Sequence, residues 1–482
     1  KEKVKGVPLF SAGPWNKKMF REITQNFENL LLSGGYIEGS PVQQCEEGVL
    51  RLTQATAALG CGSGTDALYL ALHTLKEVNG WDSPLCVLPD FTFQATINAV
   101  LNAGYFALLT DVGPDDLVME PEVVDHVFGS MTPPFPSRDS RGVEYQLYDL
   151  KPNVDPDKNF PPHDGIVFLG VHLYGNICRL DEMRTRALQR FSALTLDRLG
   201  IWFVEDAAQA LGGEAFTTLE DSNVAKENRI RRVGRVGALG DLAALSFYPT
   251  KSFGGIGDGG MVLFTNYSRT PGPEQLRRYS HSIAHQGSRK DLPGYDKYSS
   301  HLIGMNSRLD AVQAQYVGLK LGLADEIRAV RYNVRLAYED FFESRGILWK
   351  SGIDLPWKVR LLTQGRTSWP HPTISCPGVL TVEFRTREDR DRVRAHLHRV
   401  GVGVQVYYPE SLSRQPAYRD HAGVLRLPSC WVDPADGYAE IRVADEIGSR
   451  ILSLPLFYGI TEEQIETVCY GVLAGLESKL DP

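Results

Sequence analysis

The sequence predicts an α/β protein, with a large domain built on a mostly parallel sheet and a smaller α+β domain at the C-terminal end. Three observations lead there. Between about Ala58 and Thr265, short continuous apolar runs alternate with helical patterns. Runs without a polar side are strands covered on both faces, which goes with parallel pairing and right-handed helical crossovers. Near Leu321 the pattern changes to one long amphipathic helix followed by an alternating strand and a charged helix. Finally, the chain has 482 residues, 43% hydrophobic and 23% charged, as in soluble globular proteins with more than one domain.

Residues 1–45 read as an arm or helix packed on one of the two domains. In the large domain, 46–320, the strands are expected at TAALGCG, PLCVLPD, FALLTDV, DGIVFLGVHLYG, IWFVEDA, DLAALSFYP and GGMVLFTN. Helices are expected at TDALYLALHTLKEV, FQATINAVLNAG and DEMRTRALQRFSALTLDRLG. In the small domain, 321–482, Ile327, Val330, Val334, Ala337 and Phe341 are spaced by three and four as a helix stripe, and Gly346 is placed to end that helix. A strand is expected at VLTVEF, a helix at TREDRDRVRAHLHRVG and another strand at VGVQVYY. The last helix starts with TEEQ, a capping box of Thr461 and Gln464. Three polar stretches, 113–163, 217–235 and 352–377, read as long inserted loops, beyond the usual length of a connection.

Composition narrows the partners. Lys and Arg number 51 against 59 Asp and Glu, a formal net charge of -8, so no nucleic-acid partner is expected. No apolar stretch reaches the roughly 20 residues of a membrane span, and the start KEKVKGVPLF has no signal-peptide core. Seven scattered cysteines without a CxxC point to a reducing compartment, hence a cytoplasmic location, and to no disulfide framework. Eleven dispersed histidines without HExxH give no expectation of a metal site.

Three segments carry chemistry. In CGSGTDALYLAL, 61–72, small residues precede a helix that begins at about Thr65, and free backbone N–H groups at a helix start attract an anion such as phosphate. Alone, this would equally fit an ordinary strand-to-helix turn. In IWFVEDAAQALG, 201–212, a strand delivers Glu205 and Asp206 at its C-terminal edge, where α/β proteins bind ligands, although a helix N-cap would also use an Asp there. In DLAALSFYPTKSFGGIGDGG, 241–260, a strand leads past Ser246 to Lys251 and a glycine-rich turn. A lysine desolvated beneath a ligand loses its proton and can form a Schiff base with an aldehyde, and the glycines leave room for a flat cofactor. The glycine order is not that of an ATP-binding P-loop. Taken together, a phosphate turn, a strand-end Asp and a strand-end Lys are what pyridoxal phosphate needs: a phosphate seat, a carboxylate for the pyridine nitrogen and an amine for the aldehyde.

The chain resembles the DegT/StrS-like sugar aminotransferases, pyridoxal-phosphate enzymes of fold type I. The resemblance runs from SGGYIEGSPVQQCEE to SLPLFYGITEEQI through GSGTDAL, LPDFTFQATINAVLNAG, GVHLYGN, VEDAAQALGG, LSFYPTKSFGGIGDGG, GMNSRLDAVQAQ and VQVYYPE. It implies that Lys251 forms the covalent link and shuttles the proton, and that Asp206 faces the pyridine nitrogen. It places Gln209 near the ring oxygen and Phe93 against the ring. Gly64 and Thr65 are implied to bind the phosphate through their backbone, joined by the Ser246 hydroxyl. Asn306 would reach the phosphate of a neighbouring subunit, in a homodimer with shared sites. The implied reaction moves an amino group from an amino acid, glutamate or glutamine, to a keto-sugar, a nucleotide-linked keto-deoxysugar first, toward an amino sugar of a surface polysaccharide or natural product. A keto-cyclitol or an unlinked or phosphorylated keto-sugar is the nearest alternative substrate, and a catalytically idle binding or regulatory subunit is the alternative of another class.

Overall fold

The computed structural model describes residues 6–130, 135–138, 144–147, 163–190, 196, 200–218, 230–265, 267, 269–288, 298–349, 358–362, 373–427 and 442–478. Sixteen strands occur in this part of the chain. They are β1 (Ala57–Cys61), β2 (Leu85–Pro89), β3 (Phe106–Thr110), β4 (Phe135–Arg138), β5 (Glu144–Leu147), β6 (Ile166–Val171), β7 (Ile201–Asp206) and β8 (Glu214–Thr218). After them come β9 (Ile230–Arg235), β10 (Leu242–Ser246), β11 (Gly260–Phe264), β12 (Val359–Leu361), β13 (Thr373–Ile374), β14 (Leu380–Phe384), β15 (Val424–Arg426) and β16 (Ile451–Leu454).

The main sheet has the order β1-β11-β10-β7-β6-β2-β3-β15. Its pairs from β10 to β15 are parallel, and only β11 runs antiparallel to its neighbours. The expected fold class is therefore the observed one. The cause of the continuous apolar runs is visible in β6 and β7. Ile166, Phe168, Ile201 and Phe203 enter one core, while Val167, Leu169, Trp202 and Val204 enter another on the opposite face. A strand with cores on both sides can have no polar face.

Past residue 321, the antiparallel sheet β12-β14-β16 carries a third core, where Val382 and Leu452 meet Val393, Leu397, Val468 and Val472 of the helices Arg387–Arg399 and Glu462–Glu477. This stretch also supplies β15 to the main sheet. The capping box at Thr461 forms as expected. The helix Ala324–Ser344 ends in Gly346 at φ +64, but its buried stripe is Ile327, Val334, Tyr338 and Phe342, rotated slightly from the expected one.

The strand expected at VGVQVYY does not form. Residues 402–408 make only single bridges, Val402 to Val7 and Gln405 to Ser453. Gly403 N–H donates to Val7 O at 2.7 Å while Gln405 exchanges backbone hydrogen bonds with Ser453, so the segment's backbone is divided between the N-terminal arm and β16 and runs as a ladder along neither. The three expected long loops are also more regular than their composition suggested. The first holds the helix Val123–Gly129 and the hairpin β4-β5. The second and third meet, because β13 pairs with β8, which pairs with β9. The remainder of these stretches lies outside the described residues. Among the described residues no helix is long and apolar enough to cross a membrane.

Candidate active site

The parallel strands deliver their C-terminal ends to a cavity of about 420 Å³. It is bounded by the end of β7, the start of the helix Gly64–Asn79, the turn after β10 and the segment at Tyr407 and Tyr408. Of the site residues expected from the sequence, the cavity brings together Gly64, Thr65, Phe93, Asp206, Gln209, Ser246 and Lys251. Asn306 is exposed and bridged to His285, and it does not line this cavity.

Asp206 ends β7 and is buried. Its Oδ2 accepts from the Thr96 hydroxyl at 2.8 Å and its Oδ1 from the Ala208 N–H at 3.2 Å. Burial pushes its carboxyl above the usual range, and these two donors, with the Lys251 charge, oppose that shift. Lys251 lies in the turn after β10, its carbonyl tied by Gly254 N–H. Its amine has no hydrogen bond or ion pair with any described residue. Burial lowers its pKa, against the pull of Asp206. The two groups attract through space without pairing, so a carboxylate and a desolvated amine stand apart in one cavity.

Glu205, next along β7, points the other way, as successive strand residues must. Its carboxylate accepts from Gly237, Leu239 and Gly240 N–H at 2.7–2.8 Å, and from His172 Nε2 at 2.9 Å. His172 Nδ1 faces the Cys178 N–H at 3.0 Å. An amide only donates, so the ring's proton sits on Nε2. His172 is thus a satisfied buried histidine that also lines the cavity.

At the opposite end, Ser63 caps the helix Gly64–Asn79 by accepting from Asp66 N–H at 3.0 Å. The N–H groups of Gly64 and Thr65 have no intrahelical acceptor, which leaves the positive end of the helix facing the cavity. A Cβ on Gly64 would lie 2.7 Å from Ser246 Cβ, so only glycine lets the Ser246 side chain approach this turn.

Sequence reasoning missed Tyr408. Its ring stacks on Phe93 at 5.5 Å, and its hydroxyl accepts from Gln209 Nε2 at 3.1 Å. Gln209 Oε1 in turn accepts from Tyr174 N–H at 2.7 Å, with Tyr174 held at φ +58. Thr96 and Tyr408 lay inside motifs that carry the resemblance, but nothing in their spacing marks one position over its neighbours; His172, at a strand end, reads from the sequence as a satisfied buried histidine, and it is one.

A desolvated lysine, a strand-end carboxylate and an anion-binding helix start around one cavity define a site for a phosphorylated aldehyde cofactor, and the residues present fit pyridoxal phosphate. The class is a fold type I enzyme that uses it. The model of the DegT/DnrJ/EryC1/StrS aminotransferase family matches residues 17–473, and the chain belongs to that pyridoxal-phosphate-dependent family. The Saccharopolyspora erythraea protein named erythromycin biosynthesis sensory transduction protein EryC1 is 28% identical, over 97% of this chain and 99% of its own. The Acidithiobacillus ferrooxidans UDP-N-acetyl-3-dehydro-alpha-D-glucosamine 3-aminotransferase is 27% identical, over 93% of this chain and 92% of its own. In fold, the chain is similar to the crystal structure of a DegT DnrJ EryC1 StrS aminotransferase from Brucella abortus, with a TM-score of 0.71, 20% identity and coverage of 98% and 100% of the two chains.

Proposed function

We propose that the protein transfers an amino group from glutamate or glutamine to a nucleotide-linked keto-sugar, in the biosynthesis of an amino sugar. The carrying observation is the desolvated Lys251 amine, unpaired among the described residues and standing off from Asp206 in one cavity. The relative that aminates a UDP-linked 3-keto-sugar supports the substrate class. When bound, pyridoxal phosphate supplies an electron sink for the substrate's alpha carbon.

The chain's residues do the rest. Lys251 Nζ is the atom that would hold the cofactor's aldehyde carbon. When free, the same amine would move a proton at the donor's alpha carbon, a task that burial favours by lowering its pKa toward the neutral, basic form. Asp206 would hold a proton at the pyridine nitrogen, and the donors Thr96 and Ala208 favour its ionised form against the pull of burial. Gly64 and Thr65 N–H, with the Ser246 hydroxyl, would take the phosphate. Phe93 would face the ring, and Gln209, clamped between Tyr174 and Tyr408, would stand by the ring oxygen. Asn306, exposed here, would serve the site of a second copy in a cytoplasmic homodimer.

A panel of keto-sugars tests the substrate. With glutamate or glutamine as donor, amine loss is expected with UDP- or dTDP-linked keto-sugars. Turnover restricted to free or phosphorylated keto-sugars or keto-cyclitols would overturn the nucleotide-linked part. No turnover with any acceptor, by a protein that does not bind the cofactor, would favour an idle binding subunit.

A further inference from the structure

Outside the cavity, a second constellation joins parts of the chain that are far apart in sequence. His281 and His285 are four residues apart at the end of the helix Pro273–Ala284, and Glu38 comes from the turn between the helices Phe20–Ser33 and Ser40–Thr53. Glu38 Oε1 lies 2.6 Å from His285 Nε2 and 3.7 Å from His281 Nε2. Among the described residues this is the one group of three His, Cys, Asp or Glu side chains whose ligand atoms all lie within 4.8 Å of one another.

Three details make it more than a surface ion pair. First, His285 Nδ1 lies 2.7 Å from the His281 carbonyl, which can only accept. Nδ1 therefore carries a proton, and Nε2, which donates to Glu38 Oε1 at 2.6 Å, is the nitrogen left to bind a cation once the proton it shares with that carboxylate is displaced. Metal-bound histidines are commonly oriented in this way, through a second N–H given to a backbone carbonyl. Second, the two imidazoles stack with centroids 3.8 Å apart and planes 10° from parallel. The stacking places both Nε2 atoms on the same Glu38 oxygen, and a shared cation requires one ring to turn so that the two lone pairs converge. Third, Glu38 sits at φ +58, a conformation costly for a non-glycine residue, and it is the residue that completes the group.

We propose that Glu38, His281 and His285 bind a divalent late transition cation, zinc foremost, with solvent completing the coordination. Two histidines four residues apart, one on the last turn of a helix and one at its C-cap, with one carboxylate form a borderline-soft ligand set that favours zinc over magnesium or calcium. In a tetrahedral zinc site with bonds of about 2.0–2.1 Å, ligand atoms stand about 3.3 Å apart. The observed 2.6 and 3.7 Å bracket that value, and Glu38, 46% exposed at its side chain, can adjust. The ion would fasten the turn at Glu38 to the segment in which His285 bridges Asn306. This departs from the sequence expectation of no metal site, and it stands independently of the transaminase reading.

The test uses the cofactor-loaded protein, stripped of metal by a chelator that is then removed. Zinc sulfate is added in competition with a chromophoric chelator, and bound zinc is measured on the separated protein. One zinc per chain is expected, not displaced by millimolar magnesium and weakened at least tenfold in both His281→Ala and Glu38→Gln. If His281→Ala fails to fold, the isosteric change at exposed Glu38 decides alone. Absence of stoichiometric zinc, equal binding by the wild type and the folded variants, or displacement by magnesium overturns the proposal.

Discussion

Thr96→Val probes how the site favours the charged form of Asp206. Thr96 is fully buried, and its hydroxyl is the only side chain of the described residues that donates to the Asp206 carboxylate, at 2.8 Å. Valine keeps the shape and removes the donor. A hydrogen bond to a charged group is worth about 1.5–3 kcal/mol. Its loss pushes the Asp206 carboxyl further up, in the direction burial already drives it. If all of that loss fell on holding the proton at the pyridine nitrogen, turnover would drop about 10- to 150-fold. The Ala208 N–H remains at 3.2 Å, so the lower end, about tenfold, is the expected result. The assay is kcat with saturating cofactor and a fixed acceptor, beside Thr96→Ser, which restores the hydroxyl and is expected to recover most of the rate. A folded Thr96→Val enzyme with kcat within twofold of wild type would refute the reasoning about Asp206.

Three further outcomes are expected. Gly64→Ala puts a Cβ 2.7 Å from Ser246 Cβ at the proposed phosphate seat, so pyridoxal phosphate should bind at least tenfold more weakly in an absorbance titration of the apo protein; an unchanged Kd would contradict the seat. Lys320 Nζ donates to Gly254 O at 2.6 Å, and burial pulls its pKa down to about 7. Between pH 7 and about 10 the unfolded chain holds a proton that the folded chain has released, so stability rises with pH through that window and is lowest below it. The Tm difference between wild type and Lys320→Met should therefore shift in favour of wild type from pH 6 to pH 9, and a difference that ignores pH would count against a buried neutral amine. Thr461→Ala removes the hydroxyl that accepts from Gln464 N–H at 3.2 Å and should cost about 1 kcal/mol in chemical denaturation while leaving kcat alone.

Much of the fold was legible because the main sheet is apolar on both faces. Runs such as those ending at Val171 and Asp206 have no other explanation at their length, and the helix starts at Gly64 and Thr461 announce themselves by their caps. The long-range pairings were not legible. Val7 taking the backbone of Gly403, and β13 joining β8, depend on which distant segment the fold brings to a free backbone edge, and no local pattern encodes that. The cavity shows the same division. Lys251, Asp206 and Gly64 are marked by residue type at a strand or helix end. Tyr408 earns its place only through contacts with Phe93 and Gln209, and Thr96 through a contact with Asp206. His281 and His285 had a readable four-residue spacing, but their third partner, Glu38, lies 243 positions before the first of them in the chain and appears only once the chain is folded.

The central claim is the identity of one amine. Borohydride reduction of the yellow holoenzyme, followed by peptide mapping, should leave the pyridoxyl group on Lys251 and abolish activity, with Lys251→Ala taking up no label. A label on another lysine, or an unmodified Lys251 in an active, cofactor-loaded protein, would contradict the account.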